Sequence, residues 1–322
     1  MIITRRQFSA GAGALVCAPS IARANEPLVI GAVPANAVHW VQCVAHDKGF
    51  YREVGFASDL QQIQSSPQAM QMAITGGYQV ATSQPDTFIA AFARGATQLA
   101  AIASPTNEND WVLVGSKDVQ KMEDIKGKTI GLSSLRGSEA WATTRLLDAS
   151  GVKRESYNYV VAGVSPAKVA ALTRGAIGAA VLFQPSAEAA VRQGLPALAT
   201  YAALRSYPTV LYVVNRDWAR KDDAGKRVSA AVRKAHTWMW DPANRKECEA
   251  ILSKYTKRDA SICEKIYDDY FVRASFYSRT GALDVEGFQR VLDDMAEDGA
   301  VFTKAPPARS LLLEPALGGM AT

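Results

Sequence analysis

One stretch of this chain occurs twice. Residues 65–95 read SSPQAMQMAITGGYQVATSQPDTFIAAFARG, and residues 165–194 read SPAKVAALTRGAIGAAVLFQPSAEAAVRQG. Each copy opens with Ser-Pro (Ser66-Pro67, Ser165-Pro166) and carries an apolar helical run to glycine (Gly76 and Gly77, Gly175). Each then passes through a short apolar run into Gln-Pro (Gln84-Pro85, Gln184-Pro185) and closes with an Ala-rich run ending in glycine. The Ser-Pro pairs lie 99 positions apart (165 − 66) and the Gln-Pro pairs 100 apart (184 − 84). A period of that size is half a protein, so the chain is expected to fold as two related lobes and not as a solenoid of short turns.

The spacing also predicts local structure. Proline suits the first position of a helix, where its missing N–H costs nothing, and serine just before it caps the next free N–H groups. All four pairs are therefore expected to start helices directly after strands. In open α/β sheets that junction is the carboxyl edge, where ligands bind. Helix starts there offer unpaired N–H groups and a partial positive charge. Two such edges facing each other would form a cleft lined with amides that favour an anion.

At 322 residues the chain has room for two domains of ordinary size. Its formal net charge is +5, but residues 1–24 carry Arg5, Arg6 and Arg23 and no acid. Without them 33 basic residues (36 − 3) stand against 31 acidic ones, a net of +2, so no nucleic-acid partner is implied. Thr4-Arg5-Arg6-Gln7-Phe8 has the form of a twin-arginine export signal, and Ala22-Arg23-Ala24 supplies a small-residue cleavage pattern. The apolar stretch between them, Ser9 to Val16, falls far short of the roughly 20 residues that a membrane span needs. The expected mature chain starts near Asn25 and works in the periplasm. A lipoprotein alternative rests on Cys17, against which stands the bulky Val16 before it. An oxidising compartment permits disulfides, and a Cys248–Cys263 bridge is expected to clamp two consecutive helices, Arg245–Tyr255 and Ala260–Phe271. Cys43 is expected to be buried. His39, His46 and His236 have no metal-binding spacing, and neither a metal nor a cofactor is expected.

Along the chain, Leu28–Ala32 and Leu60–Gln64 read as strands, with Ala37–Lys48 a helix between them. This places Asn36, His39 and Trp40 at the edge of the first strand. Thr97–Ala103 is a further strand, ending at Ser104–Asn107. Asp110–Gly115 reads as an extended segment leaving the first lobe, and Pro208–Val214 as the return. In the second lobe a strand within Ile125–Leu132 leads through a Ser/Gly-rich turn, Ser133–Ser138, into a helix over Glu139–Ser150, and Tyr157–Val161 is the next strand. The expected division is 25–112 for the first part of lobe I and 113–207 for lobe II. Residues 208–322 hold the return crossing and C-terminal helices packed mainly on lobe I. Among those helices, Val285–Asp298 carries Phe288, Val291, Leu292 and Met295 on one face.

Four stretches in this order and spacing carry a family resemblance. They are His46-Asp47-Lys48-Gly49-Phe50-Tyr51-Arg52-Glu53-Val54-Gly55, Ile125-Lys126-Gly127-Lys128-Thr129-Ile130-Gly131, Arg136-Gly137-Ser138-Glu139-Ala140-Trp141 and Asp284-Val285-Glu286-Gly287-Phe288. With them the chain resembles the periplasmic substrate-binding proteins of ABC importers, nearest the sulfonate/taurine/nitrate type. The resemblance implies the type II two-lobed α/β fold, two Rossmann-like lobes joined by two crossing segments. It implies a monomeric, non-enzymatic protein that closes on a small anionic organic solute and delivers it to an ABC permease in the inner membrane.

Carried onto this sequence, the resemblance makes the carboxyl-edge residues ligand candidates. These are His39, Trp40, Ser65, Ser66, Ser83, Gln84 and Asn107 in lobe I, and Ser133, Ser134, Gly137, Ser138, Ser165 and Gln184 in lobe II. Each serine reads equally as a plain helix cap. Arg136 could hold a ligand acid group bidentately or be an exposed loop arginine. Trp40, Trp141, Phe183 and Tyr207 could wall the cleft, although Trp141 also fits a core position. Asp110 could meet a ligand amine or pair with an arginine. Two rivals remain open: an enzyme on the same fold, resembling the thiamine-pyrimidine synthases, and a periplasmic sensor subunit. No Cys-rich iron motif or histidine cluster supports the first, and the second requires the same closing motion.

Overall fold

The computed structural model describes residues 25–33, 35–135, 137–201, 208–273, 276–297 and 301–313. Its strands are β1 (Glu26–Ala32), β2 (Phe56–Gln62), β3 (Val80–Ser83), β4 (Leu99–Ala103), β5 (Val112–Gly115), β6 (Thr129–Leu132), β7 (Asn158–Val161), β8 (Ala179–Leu182), β9 (Ala197–Thr200) and β10 (Leu211–Asn215). Its helices are α1 (Trp40–Asp47), α2 (Phe50–Glu53), α3 (Ser66–Ile74), α4 (Pro85–Ala93), α5 (Ser138–Ala149), α6 (Ser165–Thr173), α7 (Ser186–Arg192), α8 (Arg216–Arg220), α9 (Ala224–Trp240), α10 (Arg245–Thr256), α11 (Ala260–Tyr267) and α12 (Val285–Glu297).

The strands form two five-stranded sheets, ordered β2-β1-β3-β10-β4 and β7-β6-β8-β5-β9. The two orders are the same order. In each sheet four strands run in one direction, and a single antiparallel strand fills the fourth place. That fourth strand is the one reached by crossing: β5 enters the second sheet beside β8 and β9, and β10 re-enters the first beside β3 and β4. The chain thus forms a two-lobed α/β fold in which each crossing ends by completing a sheet.

The repeat reaches further than the residues that first reveal it. Gly31 in β1 and Gly131 in β6 lie 100 positions apart (131 − 31), both one step from the end of their strand. A Cβ on Gly31 would stand 2.4 Å from the Tyr78 ring, and one on Gly131 would stand 2.6 Å from Ile177 Cδ1. In both lobes the strand second in sheet order needs glycine because the chain entering the third strand crosses against it. The repeated serines also play one part. Ser66 Oγ accepts from the Gln84 N–H at 3.2 Å, and Ser165 Oγ accepts from the Phe183 N–H at 3.0 Å. Each serine ties the first turn of its helix to an amide at the end of the following strand.

Among the C-terminal helices, α9, α10 and α12 pack on lobe I elements, while α11 meets α7 of lobe II through Ser261 and Lys265. α9 and α10 pack on α1, and Phe288 of α12 stacks on Phe88 of α4 with centroids 6.4 Å apart. Two expectations are corrected here. In the second copy the Gln184–Pro185 bond is cis and the helix begins at Ser186, not at the proline. The Gln184 side chain instead caps that helix, Oε1 accepting from the Glu188 N–H at 3.1 Å. The expected helix over Ala260–Phe271 changes at Asp268 into a π-helical stretch that runs to Arg273.

The expected Cys248–Cys263 bridge is not formed. Both are free, buried thiols, as is Cys43. Cys263 Sγ lies 3.9 Å from the Arg258 carbonyl oxygen, aimed at the helix connection and not across the pair. Burial raises the pKa of all three thiols, which keeps them in the unreactive protonated form. Titration of the unfolded, unreduced chain from residue 25 onward is therefore expected to find three thiols, and a count of one would restore the bridge.

Candidate functional site

The carboxyl edges of the two sheets face each other and touch. The Ala37 N–H donates to the Gln184 carbonyl at 2.6 Å. Gln84 Nε2 at the start of α4 donates to Glu139 Oε1 in α5 at 3.3 Å. Ser138 Oγ at the first position of α5 donates to Asp86 of α4. Between these contacts lies a cavity of about 40 Å³. Lobe I lines it with Asn36, His39, Ser65, Ser66, Thr82, Ser83 and Gln84, and lobe II with Ser133, Glu139, Val164 and Phe183. Val33, Ile63 and Val210 complete an apolar wall.

Most of the edge amides expected to receive an anion are already in use. Two are held by Ser66 and Ser165, as above. The Ser133 N–H donates to Glu139 Oε2 at 2.9 Å, so a carboxylate of the chain sits at the end of β6. Lys168 Nζ lies 2.8 Å from that same oxygen and also donates to the Val181 carbonyl at 2.9 Å. Both side chains of this pair are buried, at 0% and 1% exposure. Burial pulls the Lys168 ammonium below its usual range, against the opposing charge of Glu139.

Two polar atoms lining the cavity lack a hydrogen-bond partner among the described residues, Asn36 Oδ1 and His39 Nδ1. Burial drives the His39 pKa down to about 3, so at neutral pH it presents an uncharged ring that can accept or donate. Asp110 sits beside this edge. Its Oδ2 accepts from the Gln184 N–H at 3.2 Å and from the Tyr270 hydroxyl, and burial raises its pKa to about 6. Among the described residues Asp110 thus meets backbone and tyrosine, and neither an amine nor an arginine. Among the described residues no three His, Cys, Asp or Glu side chains converge as a metal would require.

Of the candidates named from sequence, His39, Ser65, Ser66, Ser83, Gln84, Ser133 and Phe183 line the cavity. Ser165 and Gln184 hold the framework behind it. Gly137, Ser138 and Trp141 border a separate groove of about 1360 Å³ that opens between α3, α4 and α12 on one side and α5 and β7 on the other. There the Arg145 guanidinium lies over the Trp141 ring at 4.5 Å. Trp40 belongs to the core instead: its Nε1 donates to the Cys248 carbonyl at 3.0 Å, and its ring packs edge-on against Tyr267 and Phe271. Asn107 ties its loop to residues 282 and 284, through the Ala282 carbonyl and the Asp284 N–H. Arg136 and Tyr207 lie outside the described residues.

Sequence reasoning missed Glu139, Lys168 and Asp86 as parts of this edge. The repeat held a signal for Lys168: at the 99-residue offset it occupies the place of Ala69, which is fully buried. A lysine in that place needs an internal acid.

Removing one partner of a buried ion pair strands the other charge. Lys168→Met is therefore expected to destabilise the chain by about 3–5 kcal/mol in urea unfolding, with Glu139→Gln added to it recovering part of the loss. His39 gives a pH signature. Its folded pKa is depressed, so its contribution to stability is present above pH 6.5 and is lost as pH falls towards 3. Between pH 6 and 4 the His39→Gln variant should lose stability less steeply than the parent, by about 1.4 kcal/mol per pH unit. Equal slopes would show that His39 charges freely in the fold.

Comparison with known proteins agrees with the geometry. Among solved structures, the alkanesulfonate-binding protein SsuA from Xanthomonas axonopodis pv. citri, bound to MOPS, superposes with a TM-score of 0.74 at 15% identity, covering 90% of this chain and 99% of that one. The periplasmic nitrate-binding protein NrtA from Synechocystis PCC 6803 superposes with a TM-score of 0.76 at 15% identity, covering 92% and 88%. YtlA of Bacillus subtilis (strain 168), described as a candidate binding protein, is 21% identical over 240 residues, 72% of each chain. The fold is thus that of the two-lobed periplasmic binding proteins. The model of the family described as NMT1/THI5 like matches residues 36–244, well over half of the sequence, and the chain belongs to that family.

Proposed function

We propose that this protein is the solute-binding component of an ABC importer, capturing a small organic solute between its lobes and handing it to a membrane permease. The observation that carries the reading is the cavity itself. It lies at the facing carboxyl edges of two repeat-related lobes, and two of its lining residues, Asn36 and His39, each hold a buried polar atom without a hydrogen-bond partner among the described residues. Buried polar atoms of that kind usually have a partner, and a bound solute would supply it. At about 40 Å³ the cavity is closed to organic molecules of ordinary size. Solute entry therefore requires the lobes to part, the hinge motion that a transporter component signals to its permease. Structural likeness to alkanesulfonate- and nitrate-binding proteins favours an oxyanion head group on the solute. The N-terminal twin-arginine pattern, which lies outside the described residues, supports export to the periplasm, and the family resemblance supports a monomer.

A thermal-shift screen of the chain from residue 25, against ethanesulfonate, taurine, nitrate, sulfate, small carboxylates and amines, tests this reading. A solute present at about 100 times its dissociation constant should stabilise by about 2.7 kcal/mol. A hit recovered chemically unchanged is the expected result. A hit converted to product would replace transport by catalysis, and silence across the whole set would remove the solute-binding reading.

A further inference from the structure

Serine and glutamine stand one residue further apart in the second copy of the repeat (184 − 165 against 84 − 66), and that residue frees an amide. In lobe I, Ser66 Oγ accepts from the Gln84 N–H at 3.2 Å. In lobe II, Ser165 Oγ accepts from the Phe183 N–H at 3.0 Å, one residue short of Gln184. The Gln184 N–H instead leaves its own lobe and donates to Asp110 Oδ2 on the first crossing at 3.2 Å. The carbonyl of the same residue accepts from the Ala37 N–H of lobe I at 2.6 Å. Asp110 and Ala37 are held in turn by tyrosines of the C-terminal segment. Tyr270 donates its hydroxyl to Asp110 Oδ2, and Tyr277 donates its hydroxyl to the Ala37 carbonyl. Both tyrosines are buried and fixed by neighbouring rings. Tyr270 lies 4.2 Å from Phe276 and 5.7 Å from Tyr277, and Tyr277 stacks on Phe271 at 5.4 Å. Tyr270 belongs to the π-helical stretch Asp268–Arg273, a kind of turn that recurs at functional sites.

We infer that Asp110, Tyr270 and Tyr277 are positioning residues, a hydrogen-bonded frame that holds the Gln184 peptide of lobe II on lobe I and keeps the cleft closed. The inference deepens the solute-binding reading above and rests on it. The frame grips the backbone beside both walls of the cavity. Phe183 precedes Gln184, Asn36 precedes Ala37, and His39 follows two residues later; all three line the cavity. The frame thus fixes the lobe I wall and the lobe II wall to each other without a contact to solute. Trp111, next to Asp110, packs edge-on against Phe183 at 5.6 Å, so the first crossing holds the ring of that wall as well as its backbone. Asp110 is the centre of the frame because one carboxylate oxygen accepts from two sides, and bonds to a charged acceptor are the strong ones. The Gln184 N–H and carbonyl both reach out of lobe II, so parting of the lobes breaks their two bonds in one event. The frame acts on closure and on no solute atom. A closed form populated in advance raises the apparent affinity of every solute by the same factor.

Hydrogen exchange at single amides, followed by NMR with no solute added, tests the inference on the chain from residue 25, with thermal unfolding verifying that each variant folds. In the parent the Ala37 and Gln184 amides should exchange slowly and in step, since the same opening releases both. Tyr270→Phe keeps the ring and removes one bond to a charged acceptor, worth roughly tenfold in the closing equilibrium. It should speed both amides by about that factor while amides inside the two sheets keep their rates. Asp110→Ala should speed both by more, and Asp110→Asn, which keeps an acceptor oxygen, by less. A merely structural role predicts that the sheet amides accelerate equally, and that result overturns the inference. So do Ala37 and Gln184 rates in Tyr270→Phe within about twofold of the parent, acceleration of only one of the two amides, or parent amides that exchange as fast as an unfolded chain. The two readings fail separately. A hit in the solute screen together with unchanged exchange refutes the frame and leaves solute binding standing. A silent screen together with the expected exchange pattern keeps the frame and removes the solute.

Discussion

A helix that starts where a strand ends leaves its first N–H groups without partners, and a protein with two such edges facing each other must satisfy both sets at once. The interlobe region of this chain is organised by that constraint. Ser66 and Ser165 each accept from a strand-end amide 18 positions further on, just ahead of the next helix in their own lobe. Glu139 settles it at the end of β6, and Asp86 settles it at the start of α5 by crossing from the other lobe. What remains is a small cavity lined by Asn36 and His39, whose Oδ1 and Nδ1 have no hydrogen-bond partner among the described residues.

Answering amides with carboxylates has an electrostatic cost, and the chain meets it in two different ways. Glu139 is neutralised by Lys168, so the pair is buried as a unit with further hydrogen bonds from Gln84 and Ser133. This is the condition under which a buried ion pair is tolerated. Asp86 is met by hydroxyls and a helix end instead. The first arrangement lies largely within lobe II and does not depend on closure. The second is made between side chains of different lobes.

Much of the fold was legible in the order of residues. The half-protein repeat announced two lobes of like topology, and the observed sheet orders, β2-β1-β3-β10-β4 and β7-β6-β8-β5-β9, match strand for strand. Helix starts at Ser66 and Pro85 followed from proline and serine chemistry. Gln184-Pro185 carried the same signal but gave a turn before Ser186, because a dipeptide does not specify its peptide geometry. The site was legible as a place and less so as chemistry. Ser66, Ser83, Gln84 and Ser133 stand at the cavity as their positions implied. Trp40 does not, because helix rotation, invisible to a short motif, turned its ring onto Tyr267 and Phe271.

The sequence by itself determined what depends on neighbours along the chain: the repeat, most of the helix starts, and hence two lobes with facing carboxyl edges. Only the tertiary structure decided how those edges are satisfied. Glu139 finds Lys168 from another helix, Asp86 finds Ser138 from another lobe, and His39 becomes a neutral ring by losing its water. Each outcome depends on which side chains converge and how much solvent they exclude, quantities set by packing between segments distant in the chain and not by composition or spacing within any one of them.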